Sequence, residues 1–435
     1  MRVELVTVGD ELLLGDTING NAAWLGRALA AAGAVVTRSV VVGDELDVIV
    51  EAVTAALHRA DAAIVTGGLG PTYDDLTRDA LAVAAGTELV RDPAIVERLR
   101  RRSAEIGRPL HDMALRMADI PATGTPIDNP MGSAPGLRVE LSGKFGKKVV
   151  YALPGVPHEM RAIMTSGVLP ELVARMSGPP PRRRTLRTAC ARESDLAVRL
   201  APVEALPGVK LAYLPDPAEV KIRINAVGPD AAVQLAEAEE LVRDLLGGYV
   251  YGAGEETLDR VVHRLLVERG ETVAVAESLT GGSLGAELSE MPGSSASYVG
   301  GVVAYATPLK ASLLGVPEDL LARSGPVHPE VAVAMAVGVR DRLGASYGLG
   351  VTGVAGPEPQ DGHPVGTVHV AVAGPGTEPV VVTPGLPLPA ASAGVRPLVR
   401  RMTVVHALDL LRRSILGLGA RYEWEQARED REGLG

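Results

Sequence analysis

The chain has 435 residues, 46% of them hydrophobic, with Phe once and Trp twice, so about two to four domains with cores of Ala, Val and Leu are expected. A formal net charge of −10 argues against a nucleic-acid partner. The single cysteine, Cys190, excludes an intrachain disulfide and suits a cytoplasmic location. No uncharged apolar run reaches the roughly 18 residues of a membrane span.

Arg2–Gly9 alternates directly into a strand, so no charged-then-apolar leader is expected. A helix follows over Asn21–Ala32, with Asn21 as its cap and Gly33 as its stop. Ala34–Val42 reads as a strand, Glu45–Arg59 as a helix and Ala62–Thr66 as a strand. Short apolar strands alternating with helices predict a parallel sheet covered on both faces. Ligands of such sheets bind at the carboxyl ends of the strands.

The polar signals gather at those ends. Gly9-Asp10-Glu11, Gly15-Asp16 and Asn19-Gly20-Asn21 follow the first strand, and TGGLGPTYDDLTRD (Thr66–Asp79) follows the third. Gly67, Gly68 and Gly70 allow backbone to approach a ligand closely. Asp74, Asp75 and Asp79 come next, with Asp75 and Asp79 one turn apart on a predicted helix. Such a turn suits a phosphate held through a divalent metal. It lacks the lysine of a P-loop and the spacing of a dinucleotide fingerprint. An ordinary tight turn followed by helix-start acids is the alternative. His58, His111 and His158 show no metal-ligand spacing.

Gly178 to Pro181, followed by Arg182-Arg183-Arg184, reads as a proline-stiffened linker with solvated arginines. A small α/β unit comes next: strands Thr185–Ala191, Val209–Leu214 and Val220–Asn225, and helices Glu193–Leu200 and Ala231–Leu246.

Thr257–Arg269 reads as an amphipathic helix. After it, AVAESLTGG (Ala274–Gly282) reads as strand, tight turn, helix, with Ser278 at the apex. The turn would aim free N–H groups of the helix start at that apex. Serine there is either a nucleophile beside a base or a plain helix cap. Tyr298–Thr307 reads as the next strand, and Thr307-Pro308 as the cap and first position of a helix, with Lys310 in its first turn. A cation at that end opposes the helix dipole, which lowers its pKa toward that of a usable base. Only six lysines occur among 43 basic residues, so a solvated lysine is the less usual surface cation here. Ser278 and Lys310 together make a Ser–Lys hydrolase pair. Val327–Leu343 and Arg396–Arg413 read as helices, and Tyr347–Thr352, Val365–Ala373 and Val380–Thr383 as strands. Gly353 to Pro357 forms a second glycine turn beside the first, and Tyr422–Gly435 reads as a charged, frayed tail.

GDELLLGDTINGN, GGLGPTYDDLTRD, NPMGSAPG (Asn129–Gly136), LPGVPHEM (Leu153–Met160), AESLTGG, GGVVAYATPLK, VTGVAGP, PVGTV and VRxxTVxxALxLLRR, in that order, resemble the CinA family, the competence/damage-inducible proteins. The resemblance implies an α/β chain in three parts and a tail. Residues 1–170 would form a three-layer α/β/α molybdopterin-binding-like domain with ADP-ribose pyrophosphatase activity, dependent on a divalent metal (Mg, Mn or Co). Residues 171–253 would form a KH-like connecting domain. Residues 254–420 would form a domain similar to nicotinamide mononucleotide (NMN) deamidases, with no cofactor, and 421–435 the tail. A homodimer acting on small nucleotides is the expected assembly.

By motif position, the metal would fall to Asp10, Glu11, Asp74 and Asp75. The first substrate would fall to Asn21, Gly67, Gly68, Gly70, Thr72, Asn129, Pro154, Gly155 and Glu159. In the deamidase part, Ser278, Lys310 and Tyr305 would be catalytic. Thr280, Gly281, Gly282, Thr352, Gly353, Arg396 and Arg400 would hold NMN, with N–H groups near Gly281-Gly282 or Gly353 on the oxyanion. This chain departs from the family twice: Glu358 to Gly362 replaces a glycine-rich run, and Gly394-Val395-Arg396 lacks the aspartate of a GDR motif. An RNA-clamping KH module needs a GxxG loop, and none occurs in the middle segment, which leaves a spacer or dimerisation unit. Three readings remain: an amidohydrolase, a pyrophosphatase with a degenerate second domain, and a binding protein without turnover.

Overall fold

A computed structural model describes residues 1–107, 109–141, 146–176, 181–388 and 394–420. The linker expected at Gly178 to Pro180 and the tail from Tyr422 lie outside these residues. Contacts divide the chain into two units, Met1–Pro181 and Arg182–Gly435.

The first unit is built on strands β1 (Arg2–Val8), β2 (Val35–Val42), β3 (Ala62–Thr66), β6 (Gly124–Ile127), β7 (Gly136–Leu141) and β8 (Lys148–Leu153), with a separate ribbon of β4 (Leu89–Arg91) and β5 (Asp119–Pro121). The sheet order is β2-β1-β3-β8-β7-β6. Its first four strands run parallel, as expected, and β7 and β6 add an antiparallel edge that period reading did not foresee. Alternate residues of β1 and β3 enter opposite cores. Val6, Val8, Ala63 and Val65 meet Ile49, Val53, Ala80 and Leu81, while Val3, Leu5, Ala62 and Ile64 meet Leu25, Leu29, Met160 and Ile163. Helices thus cover both faces, giving three α/β/α layers.

The helix after β1 spans Gly20–Ala32, and its cap is Asn19, whose Oδ1 accepts from the Ala22 N–H at 3.0 Å. Asn21 is not the cap: its amide reaches Gly155 O at 2.7 Å and joins the turns after β1 and β8. Gly33 ends the helix in the left-handed region at φ 96°. The helix after the glycine turn starts at Thr77, so Asp75 precedes it and does not share a helix face with Asp79.

The second unit holds two sheets. The first has the order β10-β11-β9-β12, all antiparallel, from β9 (Arg182–Ala189), β10 (Val209–Asp216), β11 (Glu219–Ala226) and β12 (Val250–Ala253). Arg182, Arg183 and Arg184 are exposed but belong to β9 rather than to a linker, and Arg184 pairs with Glu239 at 2.9 Å.

The other sheet has the order β14-β13-β15-β16-β17, from β13 (Val273–Glu277), β14 (Tyr298–Val303), β15 (Tyr347–Gly353), β16 (Val368–Ala373) and β17 (Val380–Val382). The first three strands are parallel, with Glu277 beside both Val303 and Val351. Valines of β13, β15 and β16 pack with the helices Leu258–Arg269, Ser283–Ser289 and Val395–Ile415. On the opposite face the helix Pro329–Leu343 lies directly on β15. A Cβ at Gly350 would come within 2.2 Å of Ala332 O, so glycine there permits the close approach. That helix starts two residues later than expected, capped by the His328 ring accepting from the Glu330 N–H. Among the described residues no helix is long and apolar enough to cross a membrane.

Candidate functional site

Ser278 stands where β13 ends, and both neighbouring strands fix the backbone around it. Its own N–H donates to Val351 O at 3.1 Å, and the Glu277 carbonyl accepts from the Ala304 N–H at 2.8 Å. Glu277 is the brace of the turn. Its side chain is buried, and the carboxylate accepts from the N–H groups of Gly282 (3.0 Å), Leu284 (3.0 Å) and Gly285 (2.8 Å). A carboxylate on the first N–H groups of a helix satisfies donors that would otherwise be orphaned. Gly281 and Gly282 follow at φ 56° and 95°, where a side chain would be strained.

This bracing takes Gly281 and Gly282 out of the expected oxyanion donors, while Gly353 lines the cleft. The Gly281 N–H is spent on Ser278 O and the Gly282 N–H on Glu277. Among the described residues, the N–H groups of Leu279, Thr280, Ala355 and Gly356 have no hydrogen-bond partner. Leu279, Ala355 and Gly356 line the cleft in front of Ser278.

Lys310 enters from the helix Thr307–Leu314, whose cap is Ala306, one residue before the expected one. Its side chain is 1% exposed. Nζ lies 3.1 Å from Ser278 Oγ and donates to Ala304 O at 2.8 Å. Burial without a carboxylate partner lowers its pKa to about 8. A neutral amine can keep its bond to Ala304 O and still offer its lone pair to the serine hydroxyl.

The cleft, about 130 Å³, is lined by Ser278, Lys310, Tyr305, Thr352, Gly353 and Arg396, among others. Tyr305 lines the same cleft as the Ser–Lys pair. It is exposed, and its hydroxyl accepts from Arg396 at 2.7 Å, while Arg396 also donates to Gly356 O at 2.7 Å. The Thr352 hydroxyl donates to the carbonyl of Pro326, another lining residue, at 2.7 Å. Arg400 is not among the lining residues. It holds Thr280 O through two N–H groups (3.2 and 2.6 Å) and Ser283 Oγ at 2.8 Å, locking the turn from behind. At the position of the missing aspartate, Val395 is buried in the core. In the altered loop, Glu358 and Gln360 line the cleft.

In the first unit the expected residues gather at the carboxyl edge of the sheet. The Gly67 N–H donates to Leu153 O at 3.0 Å, and a Cβ at Gly67 would lie 2.2 Å from Val8 O, so the turns after β1, β3 and β8 interlock. Asp75 accepts from the N–H groups of Gly70 and Thr72, both at 2.8 Å, and from the Thr72 hydroxyl. Arg78 is buried and donates to Leu69 O at 2.6 Å and Gly70 O at 2.8 Å. Asn129 is likewise consumed by its own loop and by Glu159, to which it donates at 2.6 Å. Thr72, Pro154, Gly155 and Glu159 therefore brace or border the turns.

The four expected metal ligands do not form a cage. Asp75 is turned inward to the backbone. Asp74 is exposed, its pKa lowered by the Thr72 hydroxyl and by its own N–H. Asp10 accepts from the Asp44 N–H at 3.2 Å. Sequence reasoning missed Asp44, which follows β2. Burial raises its pKa, and Asp10, Glu11 and Asp74 add to the rise. Among the described residues no group of three or more His, Cys, Asp or Glu is arranged to hold a metal ion. Glu277 and Arg78 lay inside recognised motifs without being singled out, and Asp44 lay outside every motif, in the Gly43-Asp44-Glu45 turn after β2.

Residues 4–174 match a family described as a probable molybdopterin binding domain. Residues 183–252 match the damage-inducible protein CinA KH domain, and residues 255–415 the CinA C-terminal domain. The chain is 49% identical over 432 residues to a CinA-like protein of Frankia casuarinae, covering 96% of this chain and 97% of that one. It is 42% identical over 382 residues to a putative competence-damage inducible protein of Moorella thermoacetica, covering 86% and 90%. The solved structure of CinA from Thermoplasma acidophilum is 38% identical, covers 40% of this chain and 99% of that one, and has a TM-score of 0.36.

Proposed function

The chain belongs to the CinA family, and we propose that its second unit is an amidohydrolase converting NMN and water to nicotinate mononucleotide and ammonia. The observation that carries this reading is the buried Lys310 amine 3.1 Å from the Ser278 hydroxyl. Ser278 Oγ attacks the carboxamide carbon while Lys310 takes its proton. The N–H groups of Leu279 and of Ala355 or Gly356 are the free donors that line the cleft and can meet the oxyanion. The C–N bond then breaks, and ammonia leaves with the proton returned by Lys310. Water attacks the acyl-serine by the same proton route, releasing the carboxylate and free Ser278. Arg396, with N–H groups left over at the cleft, suits the phosphate of a mononucleotide.

Purified protein should release ammonia from NMN and not, at comparable rates, from nicotinamide or glutamine. Equal rates on nicotinamide would remove the phosphate from the reading. No release from any of the three would remove the amidohydrolase.

For the first unit we propose the ADP-ribose pyrophosphatase activity that the family resemblance implies. Its support is the set Asp10, Glu11, Asp44 and Asp74 beside the glycine turn. These side chains form no cage among the described residues. A divalent ion such as Mg, Mn or Co would need further ligands from the diphosphate itself.

A further inference from the structure

A second cavity of about 240 Å³ lies in the second unit, away from Ser278. Its floor is one face of the antiparallel sheet, where Lys221 of β11 stands in register with Arg187 of β9. Its walls are the first turn of the helix Leu258–Arg269 and the side of the helix Val395–Ile415 that carries Arg401. At about 30 Å³ per water, the space holds several waters or an organic molecule with a similar number of heavy atoms.

Most charges around it are already satisfied. Arg187 donates to Gly254 O at 2.8 Å, Arg401 pairs with Glu287 at 2.9 Å, and Glu219 accepts from the Tyr251 hydroxyl at 2.5 Å. Asp259, Lys221 and the exposed Asp216 are different: none has a hydrogen-bond or ion-pair partner among the described residues, and Asp259 and Lys221 do not pair with each other. Asp259 is only 8% exposed, and what surface it keeps faces the cavity. The dipole of its helix favours a negative charge in the first turn. It supplies no hydrogen-bond donor to the carboxylate, which is left to partners that enter the cavity.

We propose that this cavity binds a small zwitterion, an amino acid whose ammonium group meets Asp259 and whose carboxylate meets Lys221. A simple cation would satisfy the aspartate and face the lysine; a simple anion would do the reverse. One molecule carrying both charges satisfies the wall and the floor and needs no metal.

The test uses the full chain and a ladder of probes: glycine, β-alanine, 4-aminobutyrate and 6-aminohexanoate, with putrescine and propionate as single-sign controls. Titration calorimetry should show binding that peaks at one chain length, with neither control reproducing it, at ligand concentrations up to about 10 mM. Asp259→Asn and Lys221→Met should each weaken that binding by about tenfold or more, the scale of one charged hydrogen bond. Without ligand, Asp259→Asn should leave the melting temperature unchanged, because the carboxylate has no hydrogen bond or ion pair in the fold to lose. That result separates lost binding from lost folding. The proposal is overturned if no ω-amino acid binds. It is equally overturned if putrescine binds as well as the best of them, or if Asp259→Asn binds normally; water then fills the cavity.

Discussion

The two units each carry a glycine turn at the carboxyl end of a central parallel strand, and both turns are held the same way. In the first, Asp75 gathers the N–H groups of Gly70 and Thr72 while Arg78 grips the carbonyls of Leu69 and Gly70. In the second, Glu277 gathers the N–H groups of Gly282, Leu284 and Gly285 while Arg400 grips the carbonyl of Thr280. A carboxylate on the donors and a guanidinium on the acceptors satisfies a bent backbone that has no ladder to bond to. The difference lies at the apex. The second turn presents a serine against a buried amine, whereas the first presents exposed carboxylates. Bracing makes a turn rigid, and the group at the apex and its neighbour decide what chemistry follows.

The largest way to break this comparison is to empty the second apex. Ser278→Ala should cut ammonia release from NMN by about a thousandfold or more, since the covalent route disappears. The melting temperature should stay unchanged, because the serine side chain carries no bond of the brace. Retention of a few per cent of the activity, measured as ammonia, would make Ser278 something other than the nucleophile.

A smaller effect separates base from clamp. If Lys310 works as a base, kcat/KM should rise with pH through about 8, the value to which burial lowers it. Lys310→Arg keeps the charge but cannot deprotonate, so it should fail as badly as Lys310→Ala. Rescue of most of the wild-type kcat by arginine would leave the lysine as a substrate ligand. The sign of the stability effect follows from the same shift. Between about pH 8 and the ordinary value of 10.5, the unfolded chain holds the proton and the folded chain does not. Stability relative to Lys310→Met should therefore rise with pH across that window, level at its low value below it and at its high value above it, as read from denaturant midpoints.

The smallest effect sharpens the comparison inside the first turn. Asp75→Asn gives up a charged acceptor of two N–H groups and should cost about 1–2 kcal/mol of that unit's stability. Asp74→Asn should cost nothing measurable in stability, yet lower ADP-ribose hydrolysis. Loss of stability in Asp74→Asn, with none in Asp75→Asn, would reverse the roles assigned to the neighbours.

Much of this architecture was legible in the chain. The strand–turn–helix rhythm located β1 to β3 and β13 to β15, because apolar period and glycine stops are local signals. Ser278 and Lys310 were legible for the same reason: a strand's end and a helix's first turn fix where each side chain emerges. What stayed hidden depends on backbone angles inside turns. Asn19 and Asn21 look alike as caps, and only the bend after β1 decides that Asn19 takes the Ala22 N–H while Asn21 reaches Gly155. Asp74 and Asp75 are adjacent acids, and the path of the glycines turns one inward and leaves the other in water. Tyr305 followed the motif into the cleft, but its partner there, Arg396, stands 91 residues further along the chain and no local signal announced the bond.

The helix Val395–Ile415 supplies Arg396 to the cleft, Arg400 to the turn behind Ser278 and Arg401 to the second cavity. Protein synthesis runs from the amino end at about 5–20 residues per second. Ser278 and Lys310 are therefore made several seconds before the arginine that locks their turn. A nascent chain that has emerged only through Lys310 owns the reactive pair without its clamp or its anion donor. The order of synthesis therefore completes the surroundings of Ser278 and Lys310 only once the last helix of the second unit has been made.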